Sequence, residues 1–117
     1  MADTITLGEI AHARSGDKGN HSNVGVIAYT PVGYDFLQQQ LTPERLERFF
    51  ESLGPTRVER FELPKLGALN FLLYNVLGGG ASQSLRIDTQ GKLLGTAVLE
   101  LELPRPANLD AMRRTNS

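Results

Sequence analysis

The chain predicts an α+β fold: a two-layer sandwich with helices on one face of a mixed or antiparallel sheet. Three observations point there. Apolar runs of strand length are interspersed with segments of helical spacing instead of forming blocks of one kind. Proline and glycine fall at the ends of those runs, at Pro31, Gly54, Pro64, Gly78 to Gly80, Gly91 and Pro104. The 117 residues, 40% of them hydrophobic, suffice for one modest core and leave no room for a second.

Residues 4–13 read as the first strand, with Ile5 and Leu7 on one parity and Ile10 and His12 on the other. The phase changes at Gly8, which predicts a bulge or a strand covered on both faces. Val24 to Tyr29 reads as a second, central strand, with Val24, Val26 and Ala28 on one face and Gly25, Ile27 and Tyr29 on the other. The two pair antiparallel across a polar connection from Ser15 to Asn23. Pro31 ends the second strand, and Gly33 to Gln40 holds a turn of helix.

A longer helix follows. Thr42 is a good N-cap, Pro43 suits the first helical position and Gly54 closes the C-terminal end. Leu46, Phe49, Phe50 and Leu53 make one buried stripe, while Glu44 and Arg48 pair on the solvent side. Arg57 to Leu63 is strand-like with alternating charge, which suits a sheet edge, and Pro64 stops it.

Leu66 to Leu77 reads as a second helix, ended by Gly78-Gly79-Gly80 and apolar nearly all round. Such a helix needs cover on more than one face, which predicts a homo-oligomer or another protein partner. Ser84 to Asp88 alternates with Leu85 and Ile87 inward, and Thr89 to Lys92 is a hairpin turn with Gly91 at positive φ. Leu93 to Leu103 is the last and longest strand, its inward side being Leu93, Ala97, Leu99, Leu101 and Leu103. The order is β-β-α-β-α-β-β over residues 1–103, a split βαβ arrangement of the ferredoxin-like type. Residues 104–117 are expected to form a disordered tail.

Composition narrows the function. Twelve basic and thirteen acidic residues leave a formal charge of −1, without the basic footprint that nucleic acid or an acidic membrane requires. The absence of cysteine removes disulfides, thiolate metal sites and cysteine nucleophiles. Met1-Ala2-Asp3-Thr4 shows no secretory signal, and the longest apolar run is far shorter than the ~20 residues that span a bilayer. A cytoplasmic location is expected.

The chemically densest stretch is Ala13-Arg14-Ser15-Gly16-Asp17-Lys18-Gly19-Asn20-His21-Ser22-Asn23. Gly16 and Gly19 can take positive φ, so backbone N–H groups can turn inward as an anion-accepting concavity. Lys18 adds a point charge, and Ser15, Asn20 and Ser22 add hydrogen-bonding groups. The same residues equally make a plain hairpin connection, and they match neither a P-loop nor a dinucleotide fingerprint. Arg14, Lys18 and Arg86, with bare backbone at Gly79 and Gly80, are suited to a carboxylate or phosphate. The alternative is that Arg86 pairs with Asp88 or Asp17. Asn70 is either a satisfied buried amide or a ligand contact.

The candidate binding set is therefore Arg14, Ser15, Asp17, Lys18, Asn20, Asn70, Gly79, Gly80 and Arg86, for an anionic small molecule. His12 and His21 have no third ligand at metal spacing, so neither a metal nor another cofactor is expected. Ser15 or Ser22 with a histidine and Asp17 lacks the strand–turn–helix elbow of a serine nucleophile.

Three blocks taken together carry a family resemblance: Ala13 to Asn20 with Asn23; Leu69-Asn70-Phe71 with Gly78-Gly79-Gly80; and Ser84 to Asp88 with Gln90-Gly91-Lys92. The chain resembles, over about residues 4–103, the small C-terminal ferredoxin-like domain of the acyclic terpene utilisation protein AtuA family. That domain follows a larger one in some chains and stands alone in others. The resemblance implies a cytoplasmic role near acyl-CoA or terpenoid catabolism. Without the larger domain, it implies an accessory, binding or assembly module, with a separate AtuA-like subunit as a partner. The alternative is a small hydratase or hydrolase acting on an acyl-CoA or related carboxylate. His12 or Asp17 would then be the base and Lys18 the electrostatic stabiliser.

Overall fold

The polar stretch after Ala13 is strand as far as Lys18 and again from His21. In the computed structural model, which describes residues 3–18, 21–76 and 94–113, β2 (Ala11–Lys18) and β3 (His21–Ala28) form one antiparallel ladder. It runs from Ala11 opposite Ala28 to Lys18 opposite His21. Gly16 lies within that ladder without positive φ; among the described residues positive φ occurs at Gly54, Gly67 and Asn75. The predicted concavity of loop N–H groups is therefore replaced, over residues 15–18 and 21–23, by ladder pairing. The apolar residues on either side extend their two-residue alternation through the polar ones.

β1 (Thr4–Thr6) is separated from β2 by a 3-10 turn, Leu7–Glu9, and pairs antiparallel with β6 (Glu102–Pro104) as its own two-stranded sheet. The predicted single first strand breaks because Glu9 reaches back to accept the Thr6 N–H, closing a capping box. The Leu7 and Gly8 N–H groups donate to the carbonyls of Leu101 and Leu99 at 2.8 and 2.9 Å.

α1 (Pro31–Gln40) is longer than the single turn predicted. Thr30 caps it, accepting the Gly33 N–H at 3.0 Å, with Pro31 at its start. At the other end the Arg60 guanidinium donates to the carbonyls of Gln38 and Leu41, at 2.9 and 3.0 Å, meeting the negative pole of the helix. α2 (Pro43–Phe49) carries the predicted caps: Thr42 accepts the Arg45 N–H at 3.2 Å, and Gly54 at φ 65° closes the 3-10 turn Glu51–Leu53.

The largest correction concerns Leu66 to Leu77. It is not a helix: β5 (Ala68–Tyr74) lies between β3 and β4 (Arg57–Leu63) in an all-antiparallel sheet of order β2-β3-β5-β4. Gly67 and Asn75, at φ 62° and 63°, bound it. Leu69, Phe71 and Leu73 are buried with Val24, Val26 and Val58; Asn70 and Leu72 occupy the opposite face. The run looks apolar all round because β5 is an interior strand, so it no longer supports the predicted oligomer helix. β4 lies at a sheet edge, as its charges predict.

The predicted strand 93–103 is also corrected. Residues 94–98 are helical, and only Glu102–Pro104 is strand. Leu94, Val98 and Leu101, at helical spacing, enter the core. Nor do residues 105–113 form a tail, since Leu109 and Met112 are buried in the same core. The predicted strand at 84–88, the turn at 89–92, Gly78 to Gly80 and residues 114–117 lie outside the described residues.

The two-layer α+β class stands. α1 lies against β3 and α2 against β4, over the sheet face that carries Val24, Val26 and Phe71. Among the described residues no helix is long and apolar enough to cross a membrane.

Candidate functional site

The helices cover one face of the four-stranded sheet, and among the described residues no α-helix lies over the other. Register assigns this second face in rows across β2, β3, β5 and β4. The first row is His12, Ile27, Ala68 and Leu63; the second is Arg14, Gly25, Asn70 and Phe61; the third is Gly16, Asn23, Leu72 and Glu59. Glycine at positions 25 and 16 removes two neighbouring side chains from this surface. A hollow of about 310 Å³ results, lined by Arg14, Gly16, Asn23, Gly25 and Asn70 at one end and by Ile27, Ala68, Leu63 and Leu66 at the other.

Gly25 is not demanded by the fold. Its φ is not positive, and a Cβ built there would meet nothing nearer than Asn70 Oδ1 at 3.6 Å, an ordinary contact. Interior strand glycine costs conformational entropy and offers nothing to pack, by about 0.5–1 kcal/mol against alanine. What glycine provides at this position is the floor of the hollow.

The polar end gathers a guanidinium and two amides. Asn23 Nδ2 donates to Asn70 Oδ1 at 3.4 Å, a diagonal cross-strand pair that orients both amides. The Arg14 side chain makes no hydrogen bond or ion pair among the described residues, and no carboxylate is among the described residues lining the hollow. An exposed guanidinium with five donors therefore stands beside two amides and bare strand backbone.

The far end of the same face carries a satisfied network. His21 Nδ1 accepts the Asn75 N–H at 3.0 Å, and its ring meets Tyr74 edge-on at 4.9 Å. The Tyr74 hydroxyl donates to Glu59 at 2.6 Å, and Arg57 lies 4.4 Å above the Tyr74 ring while pairing with Glu59 at 3.3 Å. The contact with Tyr74, and then the Glu59 carboxylate, push the Arg57 guanidinium above its ordinary range. His12 sits at the opposite end of the face, its ring 5.6 Å from that of Tyr29. Among the described residues no group of three or more histidine or carboxylate side chains is placed to hold a metal.

The profile of the AtuA ferredoxin-like domain matches residues 5–104. The chain belongs to this family. Searches of curated proteins and of solved structures returned no match.

In this AtuA ferredoxin-like domain, two of the predicted site residues come together: Arg14 and Asn70 flank Gly25 in one row. Ser15 is turned to the other face. Its hydroxyl accepts the Gly95 N–H at 2.9 Å, and Gly95 sits so close that a Cβ would lie 3.0 Å from the Arg14 carbonyl carbon. Ser15 thus fastens residues 94–98 to β2. Asp17 and Lys18 are strand residues paired with Ser22 and His21; their side chains, with Asn20, Gly79, Gly80 and Arg86, lie outside the described residues. Asn23 belongs to the polar stretch singled out from the sequence, whereas Gly25, Leu63 and Leu66 join the hollow only through the sheet register. A signal existed for Gly25, since an isolated glycine between valines in a strand marks a close approach or a gap.

Proposed function

We propose that this AtuA ferredoxin-like domain is a binding module whose sheet face opposite the helices receives an anionic group between Arg14 and Asn70. One observation carries the reading: a guanidinium with no partner among the described residues faces an oriented amide across a glycine floor. A carboxylate or phosphate there would gain charge-assisted hydrogen bonds from Arg14 and a donor from an amide. The seat differs from the hairpin turn, because the polar residues of β2 act through the sheet surface. A binding role is favoured over a hydratase or hydrolase: the described lining offers a cation and amides but no base beside a nucleophile. A place beside acyl-CoA or terpenoid catabolism, in the cytoplasm and next to a larger AtuA-like subunit, is compatible with such a module.

Titration of the isotope-labelled chain with acetate and with inorganic phosphate, followed by backbone amide shifts, tests this. The amides of Arg14, Gly16, Gly25 and Asn70 are expected to move together. Arg14→Ala should weaken binding roughly ten- to a hundredfold, the worth of about 1.5–3 kcal/mol for a charged hydrogen bond. Shifts confined to other surfaces, or an Arg14→Ala chain that binds as well as the parent, would refute the assignment.

A further inference from the structure

We infer that the ligand is a carboxylate carrying an apolar chain, its head at Arg14 and Asn70 and its chain lying over Ile27 and Ala68 toward Leu63 and Leu66. The inference rests on the anion-binding reading above and specifies its ligand. The lining of the hollow is sorted along its length. Arg14, Asn23 and Asn70 hold the polar end; Ile27 and Ala68 follow one row on, about 6.6 Å away at two strand residues. Leu63 and Leu66 then continue the apolar end.

Exposure supports the same direction. Leu66 is 68% exposed and Leu63 40%, both on the segment that closes the apolar end. Large apolar side chains at one end of a concave surface, with the Arg14 guanidinium at the other, match a molecule with a charged head and an apolar tail. A small inorganic anion would leave that apolar half unused. A purely apolar ligand would leave Arg14 covered without a counter-charge, at a desolvation cost. The absence of a side chain at Gly25 lets the first carbons beyond the head lie on strand backbone.

The experiment compares acetate, butyrate, hexanoate, octanoate and 1-octanol by amide-shift titration, on the parent chain and on Gly25→Val, Leu66→Ser and Arg14→Ala. Affinity should climb about two- to fourfold per added methylene, the upper value corresponding to full burial. Leu66→Ser changes an exposed side chain, so it should fold as the parent does, keep acetate binding and flatten the chain-length series. Gly25→Val should fold and lose every ligand, because its side chain fills the floor.

Equal affinity for acetate and octanoate, both dependent on Arg14, would overturn the chain assignment while leaving the anion site standing. No binding of any carboxylate would overturn the anion site itself. Octanol binding as tightly as octanoate, and unaffected by Arg14→Ala, would show an apolar surface without head recognition and defeat the proposal. Concentration-dependent shifts of Phe61, Leu63 and Leu66 without ligand would assign the apolar end to a second copy, also against it.

Discussion

Tyr34 shows how a single side chain departs from the economy of its surroundings. It is 7% exposed on α1, and its hydroxyl is buried with no hydrogen-bond partner among the described residues. A buried hydroxyl left unpaired costs about 1–3 kcal/mol. Burial first, and then the nearby Glu62 carboxylate, raise its ionisation above the ordinary phenol range. The unfolded chain therefore releases this proton at lower pH than the native one. Stability from this group is complete below the ordinary phenol value and is lost as pH climbs through the raised native value. Tyr34→Phe should gain about 1 kcal/mol in urea denaturation at neutral pH and lose part of the alkaline decline. A destabilised variant would mean that the hydroxyl is satisfied after all. No sequence pattern announces an orphan hydroxyl; its isolation depends on where Glu62 and Arg60 turn, toward Gln38 and the end of α1.

Elements differ in how openly the sequence declares them. α2 is readable because its signals are local: a threonine cap, a proline at the start, Leu46 and Phe50 four apart, and a glycine to stop. Removing the cap tests this directly. Thr42→Ala should cost about 1 kcal/mol in thermal or chemical denaturation, while Thr42→Asn should cost little. An unchanged midpoint for the alanine variant would show that the Arg45 N–H finds another acceptor.

β5 misleads for the opposite reason. A strand inside a sheet carries apolar groups on both faces, here Leu69, Phe71 and Leu73 inward and Leu72 outward. A seven-residue segment in which Asn70 is the one side chain outside the hydrophobic set fits either period. Residues 93–103 mislead in mirror image: Ala97, Leu99, Leu101 and Leu103 alternate, but Leu94, Val98 and Leu101 are the three that the helical turn and its exit bury. The candidate site follows the same rule. Arg14 and Asn70 could be named singly, whereas their juxtaposition across Gly25 depends on β5 being a strand.

At the scale of the whole molecule, the core is closed from both ends of the chain. β1 and β6 pair beside the main sheet, and beyond them Leu109 and Met112 complete the apolar cluster. Arg113 ties the same segment back to Glu9 at 3.2 Å. Ending the chain after Pro104 removes two buried side chains worth about 3–6 kcal/mol together, a large share of the 5–15 kcal/mol typical of a domain. The shortened chain should show a much lower denaturation midpoint or no cooperative transition; an unaltered midpoint would assign residues 105–113 a peripheral role.

The opposed directions of Arg14 and Ser15 have a consequence for how this domain can vary. One neighbour serves the outer surface and the next clasps Gly95 on the inner one. An added or deleted residue ahead of them in β2 would exchange those duties at a stroke, driving a cation into the apolar interior and leaving the clasp facing water. The hairpin can therefore change its letters far more freely than it can change their number.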